Sequence, residues 1–246
     1  MMQIRVVPNA LETNLEHMQQ TLKRVQDADI ALFPECCDLG WASASANKFA
    51  QPVPGGSTVQ FMQGLAKQFH IYLVAGITER EGDKIFNTAV FISKTGELLG
   101  KYRKINLVQN VEPMYETGDR IRVYDTPMGK IGIDICADNL MPAIMIGESM
   151  AKMGARLILA PSSWAVSPER LNHAYGEEWT EPFTYLSRKY GIDILSVSNV
   201  GPIADGNWKG WSCIGNSIAI GNRGKKTASL AYGEDAEEIR LFTCEL

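Results

Sequence analysis

The chain has 246 residues, 45% of them hydrophobic and 21% charged, which is ample core for one large domain or two small ones. Its net charge of −4 and pI of about 5.5, with no basic run to track a phosphate backbone, argue against a nucleic-acid partner. No apolar run reaches the roughly 20 residues of a membrane span, the N-terminus lacks a signal-peptide pattern, and the five cysteines make no C-x-x-C pair, so a soluble, reducing, cytoplasmic protein without disulfide framework or zinc site is expected.

Ile4 to Val7 reads as a short strand. Leu15, Met18, Leu22 and Val25 repeat at helical spacing, which predicts a helix over Asn14 to Gln26. Ile30 to Phe33 is a buried strand ended by Pro34-Glu35-Cys36-Cys37, and Asp38 to Ser57 is a loop. Val59, Met62, Ala66 and Phe69 mark a second helix, and Ile71 to Gly76 a strand, so strand and helix alternate twice. Phe86–Ile92 and Leu98–Lys104 alternate across a Lys94-Thr95-Gly96 turn and predict a hairpin. Val108 to Asp119 is a loop.

Ile121–Tyr124 pairs with Lys130–Ile135, a short apolar strand that Cys136 ends. Asp138 and Asn139 offer caps for a helical run over Met141 to Met153. Leu157–Ala160 is a strand followed by Pro161-Ser162-Ser163-Trp164, and Leu171–Tyr190 is mostly helical with Gly176 and Pro182 interrupting it. Asp193–Ser198 is a strand. Ser212–Ile220, Lys226–Ala231 and Ile239–Glu245 close the chain as an antiparallel set with a turn at Gly221 to Gly224. The total is about eleven strands and four helices. No internal repeat or long linker appears, so one domain over residues 1–246 is the simpler organisation.

Three polar residues sit where strands end: Glu35, Lys104 and Cys136. Each has a plain alternative. Glu35 could be a loop carboxylate, Lys104 part of a solvated face with Lys101 and Arg103, and Cys136 a buried structural thiol. Between a strand end and a helix start, however, free N–H groups favour the thiolate of Cys136. An acid, a cation and a thiol at one sheet edge point to a nucleophilic hydrolase. None of His17, His70 and His173 follows a strand end as a triad base would, so a Cys-His arrangement is weakly supported.

Leu32-Phe33-Pro34-Glu35, Tyr102-Arg103-Lys104 and Gly132-Ile133-Asp134-Ile135-Cys136 resemble, in order and spacing, the three signature blocks of the nitrilase superfamily, the carbon–nitrogen hydrolases. The resemblance covers nearly the whole chain, including Gly55-Gly56, Pro161 to Trp164, Asn199-Val200-Gly201 and Gly210-Trp211-Ser212. It implies an α/β four-layer αββα sandwich, two stacked mixed sheets with helices on both outer faces, usually paired as a homodimer. The loops Asp38–Ser57 and Val108–Asp119 would wall the pocket. It also implies Glu35 as general base and acid, Lys104 as stabiliser of the tetrahedral intermediate together with the Ala137 N–H, and Cys136 as nucleophile. Glu112, in Glu112-Pro113-Met114-Tyr115 before Thr117-Gly118, matches a second glutamate, with Glu116 competing. The implied substrate is a small-molecule amide, carbamoyl compound or nitrile, with no metal or organic cofactor. Pocket candidates are Trp41, Tyr115, Ala137, Asn139, Trp164 and Trp208.

The chain departs from the pattern at Asn106, where the family often has His, at Ala137, where it often has an aromatic, and over Asp138 to Ala143. These positions bear on the pocket wall. A binding or scaffold protein that keeps the fold without turnover is the alternative of another class.

Overall fold

The computed structural model describes residues 1–25, 27–173, 175–221 and 223–244. Gln26, Ala174, Asn222 and Glu245, which the sequence reading placed in a helix, a helical segment, a turn and a strand, lie outside them. The chain runs β1 (Met2–Gln3), α1 (Leu11–Lys23), β2 (Ile30–Leu32), α2 (Ala46–Phe49), α3 (Ser57–Phe69), β3 (Tyr72–Glu81), β4 (Lys84–Ile92) and β5 (Leu98–Arg103). It continues through β6 (Val123–Thr126), β7 (Gly129–Ile133), α4 (Met145–Lys152), β8 (Leu157–Ser162), β9 (Ala165–Val166) and α5 (Glu177–Tyr190). β10 (Asp193–Ser198), β11 (Val200–Pro202), β12 (Ser212–Ile214), β13 (Ile218–Gly221), β14 (Lys225–Ser229) and β15 (Glu238–Ile239) complete it.

Two mixed sheets carry the fold. One has the order β2-β3-β4-β5, the other β14-β13-β10-β8-β7-β6. Side chains alternate across a strand, and here the alternation divides two cores. Leu32, Val74, Ala89, Phe91 and Tyr102 join Ile131, Ile133, Leu157, Leu159 and Leu195 of the facing sheet. Their neighbours Ala31, Phe33, Leu73, Ala75, Val90 and Ile92 instead meet Met18 and Leu22 of α1 and Val59, Met62 and Leu65 of α3. Burial on both faces is why β2 to β4 read as apolar runs. On the other sheet, Gly132 faces Met150 of α4 closely enough that a Cβ would lie 2.5 Å from its sulfur. Phe183 and Leu186 of α5 belong to the same core. The result is the αββα sandwich the sequence implied.

Several elements differ from expectation. β3 continues to Glu81, past the apolar stretch, because Glu79 is neutralised by Lys101 and Arg103 across the sheet. Those two cations are therefore half-buried partners of a wholly buried carboxylate rather than a solvated face. The long segment Leu171–Tyr190 is helical only from Glu177, beyond Gly176 at φ 114°, and Pro182 lies inside the helix. Ser212–Ile220 is broken at Gly215 and Asn216, both at positive φ, and its halves join different sheets. β1 precedes the stretch expected as the first strand, and only Arg5 of that stretch makes a bridge, to Val200. Among the described residues no helix is long and apolar enough to cross a membrane.

Candidate active site

The β2 strand pairs in parallel with β3, and its ladder continues beyond Leu32 through Phe33 N–H to Val74 O at 2.8 Å and Cys37 N–H to Gly76 O at 2.8 Å. Gly76 is required there. A Cβ on it would stand 2.5 Å from Glu35 Cα, so only glycine lets the Pro34–Cys37 turn lie flat on β3. That turn points Glu35 into the interior, where the residue is wholly buried. Its backbone is also fastened to the other sheet: Glu35 N–H donates to Ser162 O at 3.3 Å, and Ser163 Oγ donates to Glu35 O at 3.3 Å.

Lys104 leaves β5 directly. Its N–H donates to Asn87 O at 2.8 Å, so β4 and β5 bring Asn87 and Lys104 side by side. The Lys104 ammonium donates to Glu35 Oε1 at 2.7 Å and to Glu112 Oε2 and Oε1 at 2.9 and 3.1 Å. Asn87 Nδ2 bridges the same two carboxylates at 2.6 and 3.0 Å. Trp41 Nε1 donates to Glu112 Oε1 at 2.7 Å, and the Val108 N–H to Oε2 at 2.7 Å. Glu112 thus joins the lysine, while Glu116 points outward beside Lys84. Burial works against the Lys104 ammonium, but Glu112 and Glu35 outweigh it and hold its pKa well above that of free lysine. Burial pushes the Glu35 carboxyl up, Lys104 opposes this, and Glu112 adds to it. Glu35 Oε2 has no hydrogen-bond partner among the described residues.

Cys136 follows β7 at φ 46°, a left-handed backbone that costs a non-glycine residue of the order of 1–2 kcal/mol. The expectation that a helix start favours its thiolate is corrected here. Cys136 opens a short 3-10 turn, Cys136–Asn139, and α4 begins only at Met145. Burial raises the thiol pKa well above its usual value, Glu35 adds to this, and Lys104 and the Ser163 backbone N–H oppose it. Burial and Glu35 thus favour the protonated thiol over the thiolate.

Asp138 and Asn139 do not cap the helical run expected over Met141 to Met153, whose N-cap positions are Leu140 and Ile144. Asp138 Oδ2 accepts the Tyr102 hydroxyl at 2.8 Å, and Oδ1 accepts the Asn106 backbone and side-chain N–H groups at 2.7 and 2.9 Å. The same carboxylate accepts the Ile135 N–H at 3.3 Å. Asn139 Nδ2 donates to Asp134 Oδ1 at 2.6 Å and to Cys136 O at 3.3 Å. Tyr102 and Asn106 flank Lys104, so Asp138 ties the lysine's segment to the nucleophile's turn.

Of the other expected pocket residues, Ala137 is buried next to Cys136. Trp41 is buried over the lysine, its ring centroid 5.6 Å from Nζ, with Trp208 packed edge-on at 5.4 Å. The Tyr115 hydroxyl meets Cys36 Sγ at 3.7 Å. Trp164 stacks on Trp179 at 4.9 Å, and its Nε1 is buried without a partner among the described residues. The two expected wall loops do pack together, Trp41 and Ala46 clustering with Val111 and Tyr115. Asn87, Ser163 and Asp138 were missed as site residues. The one sequence signal for Asn87 was an amide set, next to Thr88, inside a mostly apolar strand.

A carbon–nitrogen hydrolase family profile matches residues 1–244. A probable nitrilase of Schizosaccharomyces pombe is 24% identical over 95% of this chain and 83% of its own. An omega-amidase of Saccharomyces cerevisiae is 25% identical over 89% of this chain and 76% of its own. A nitrilase of Pyrococcus abyssi is 32% identical over 65% of this chain, and the match spans 63% of that protein, less than two thirds of its length. Among solved structures, a carbon–nitrogen hydrolase from Helicobacter pylori superposes with a TM-score of 0.82 at 22% identity, covering 96% of this chain and 85% of that one. An amidase from Nesterenkonia sp. AN1, with acrylamide added at its active-site cysteine, superposes at 0.80 and 20% identity, covering 96% and 89%. With the fold, the gathered Glu35, Lys104, Glu112 and Cys136, and a family match over almost its whole length, the chain belongs to the carbon–nitrogen hydrolases of the nitrilase superfamily.

Proposed function

We propose that this protein hydrolyses a small-molecule primary amide through a thioester on Cys136, with release of ammonia. The observation that carries this reading is the buried Glu35–Lys104–Glu112 set beside Cys136, in which one carboxylate oxygen, Glu35 Oε2, has no partner among the described residues. Asn87 Oδ1, on the amide that binds both carboxylates, likewise has no partner among the described residues. Buried acceptors call for donors. A primary amide brings two N–H groups, and a nitrile brings none, which favours the amide. The relatives include both omega-amidases and nitrilases, so the choice rests on these acceptors.

The steps follow from the groups present. Glu35 takes the thiol proton as Cys136 Sγ attacks the carbonyl carbon. Once protonated, Glu35 loosens its hold on Lys104, and the freed ammonium N–H meets the developing oxyanion together with the Ala137 N–H. Glu35 gives its proton to the amide nitrogen, the carbon–nitrogen bond breaks, and ammonia leaves. It then takes a proton from water, which attacks the thioester, and returns that proton to the departing thiolate. Glu112 is assigned to hold Lys104, itself fixed by Trp41 and the Val108 N–H.

A panel of primary amides, N-carbamoyl amines and nitriles, read by ammonia release against a Cys136→Ala blank, tests the reading. Amides are expected to be turned over and the blank to be silent. Turnover of nitriles alone would transfer the assignment to nitrile hydrolysis. Inertness toward all three, with Cys136 unprotected from alkylation by any of them, would leave a scaffold that keeps the fold.

A further inference from the structure

Resting on that reading, we propose that the acyl group of the substrate carries no negative charge: the site takes neutral or cationic amides and rejects the monoamides of dicarboxylic acids. The charges in the site carry this. Lys104 is the one wholly buried Lys or Arg among the described residues, and it faces two buried carboxylates, Glu35 and Glu112. An ammonium has three N–H donors, and its three contacts already go to those carboxylate oxygens. A substrate carboxylate would have to compete with Glu35 or Glu112 for the group that the reaction itself uses.

The segments that follow the lysine and the cysteine add acceptors, not cations, and Lys48 and Lys209, in the neighbouring loops, are exposed. Residues 105–119, which follow Lys104, and residues 137–144, which follow Cys136, contain no Lys, Arg or His. They contribute Glu112 and Asp138 to the interior. Asp38 and Asp134 are buried too, Asp38 accepting the Thr78 N–H and Asp134 the Asn139 amide. The charged groups that act most on the Cys136 sulfur are Glu35, Lys104 and Glu112, one cation against two anions. Among the described residues, the buried side-chain atoms without a partner at Glu35, Asn87, Asp134, Asn139 and Asn199 are all accepting oxygens, and the unpartnered donors are Trp164 Nε1 and the Ser45 hydroxyl, neither of them charged. A second substrate carboxylate would be stripped of water here without a counter-charge, and an uncompensated buried charge is strongly disfavoured.

Two measurements on the purified full chain test this. The first compares kcat/KM for pentanamide, 5-aminopentanamide and 5-amino-5-oxopentanoate, which share a backbone and differ in terminal charge. The neutral or cationic amide is expected to exceed the carboxylate by at least about 100-fold. Equal or better use of the carboxylate would overturn the proposal. The second needs no turnover: Cys136 alkylation by iodoacetamide and iodoacetate, quantified by peptide mass spectrometry and normalised to the same ratio for glutathione. A normalised preference of at least about 100-fold for the neutral reagent supports the proposal, and a ratio near that of glutathione overturns it. Selective alkylation without hydrolysis of any amide would separate the cases: the charge inference would stand and the amidase reading would fall.

Discussion

Lys104 Nζ lies 2.7 Å from Glu35 Oε1, and neither side chain is exposed to solvent. A buried ammonium alone would shed its proton. Here Glu112 and Glu35 keep it charged, and the lysine in turn keeps two carboxylates in the interior. The pair is therefore both a structural and a chemical dependency.

Lys104→Ala should separate sharply from its neighbours. It removes the one counter-charge that two buried carboxylates have among the described residues, at a cost of about 3–5 kcal/mol in unfolding free energy. It also removes an oxyanion donor, worth about 10²–10³-fold in turnover. Lys101→Ala and Arg103→Ala weaken the ion pairs of Glu79 instead, so stability should fall while turnover stays within a few-fold. Urea unfolding and ammonia release check this. Equal loss of turnover in all three would remove the special role of Lys104.

Much of this site was readable because its members end regular elements. Glu35 follows β2, Lys104 follows β5, and Cys136 comes soon after β7, so period-2 patterns located each of them. What was hidden depends on partners distant in sequence. Asp138 looked like a helix cap because its neighbours resemble a helix start, yet its main partners are Tyr102 and Asn106, more than thirty residues upstream. The strand from Ile71 was read as ending at Gly76, short of Glu79, because nothing local shows that β5 will supply two cations. The pKa of Cys136 was misjudged for a related reason: the sequence shows the turn but not the burial or the nearby Glu35 carboxylate.

The reactivity of Cys136 should respond to Glu35 and Lys104 in opposite directions. Burial and Glu35 raise the thiol pKa, and Lys104 lowers it. Glu35→Gln should therefore move the midpoint of the pH profile for iodoacetamide alkylation to lower pH, and Lys104→Met to higher pH. The thiolate is the reacting form, so in every case the rate rises with pH through the midpoint. Shifts of the same sign in both variants would contradict the arrangement.

Asp138 should act as a positioning residue. It holds Tyr102 and Asn106 on either side of Lys104, and the Ile135 N–H beside Cys136. Hydrogen bonds to a charged group are worth about 1.5–3 kcal/mol, so Asp138→Asn should lower kcat by about 10–100-fold with KM changed less than about threefold. An unchanged kcat alongside a lower Tm would make Asp138 a structural brace without influence on the lysine.

The most direct test of the account is to trap the acyl-enzyme. Glu35→Gln removes the group that activates water, since an amide side chain is not a base near neutral pH. A p-nitrophenyl ester, whose leaving group needs no proton, should still acylate Cys136 at a pH above the lowered thiol midpoint of this variant, where the thiolate forms without Glu35. Intact-protein mass spectrometry of Glu35→Gln after this treatment should show one added acyl mass that persists, and the Glu35→Gln/Cys136→Ala double variant should show none. Rapid loss of the adduct with normal amide turnover in Glu35→Gln, or an adduct that survives replacement of Cys136, would contradict the assignment of base and nucleophile.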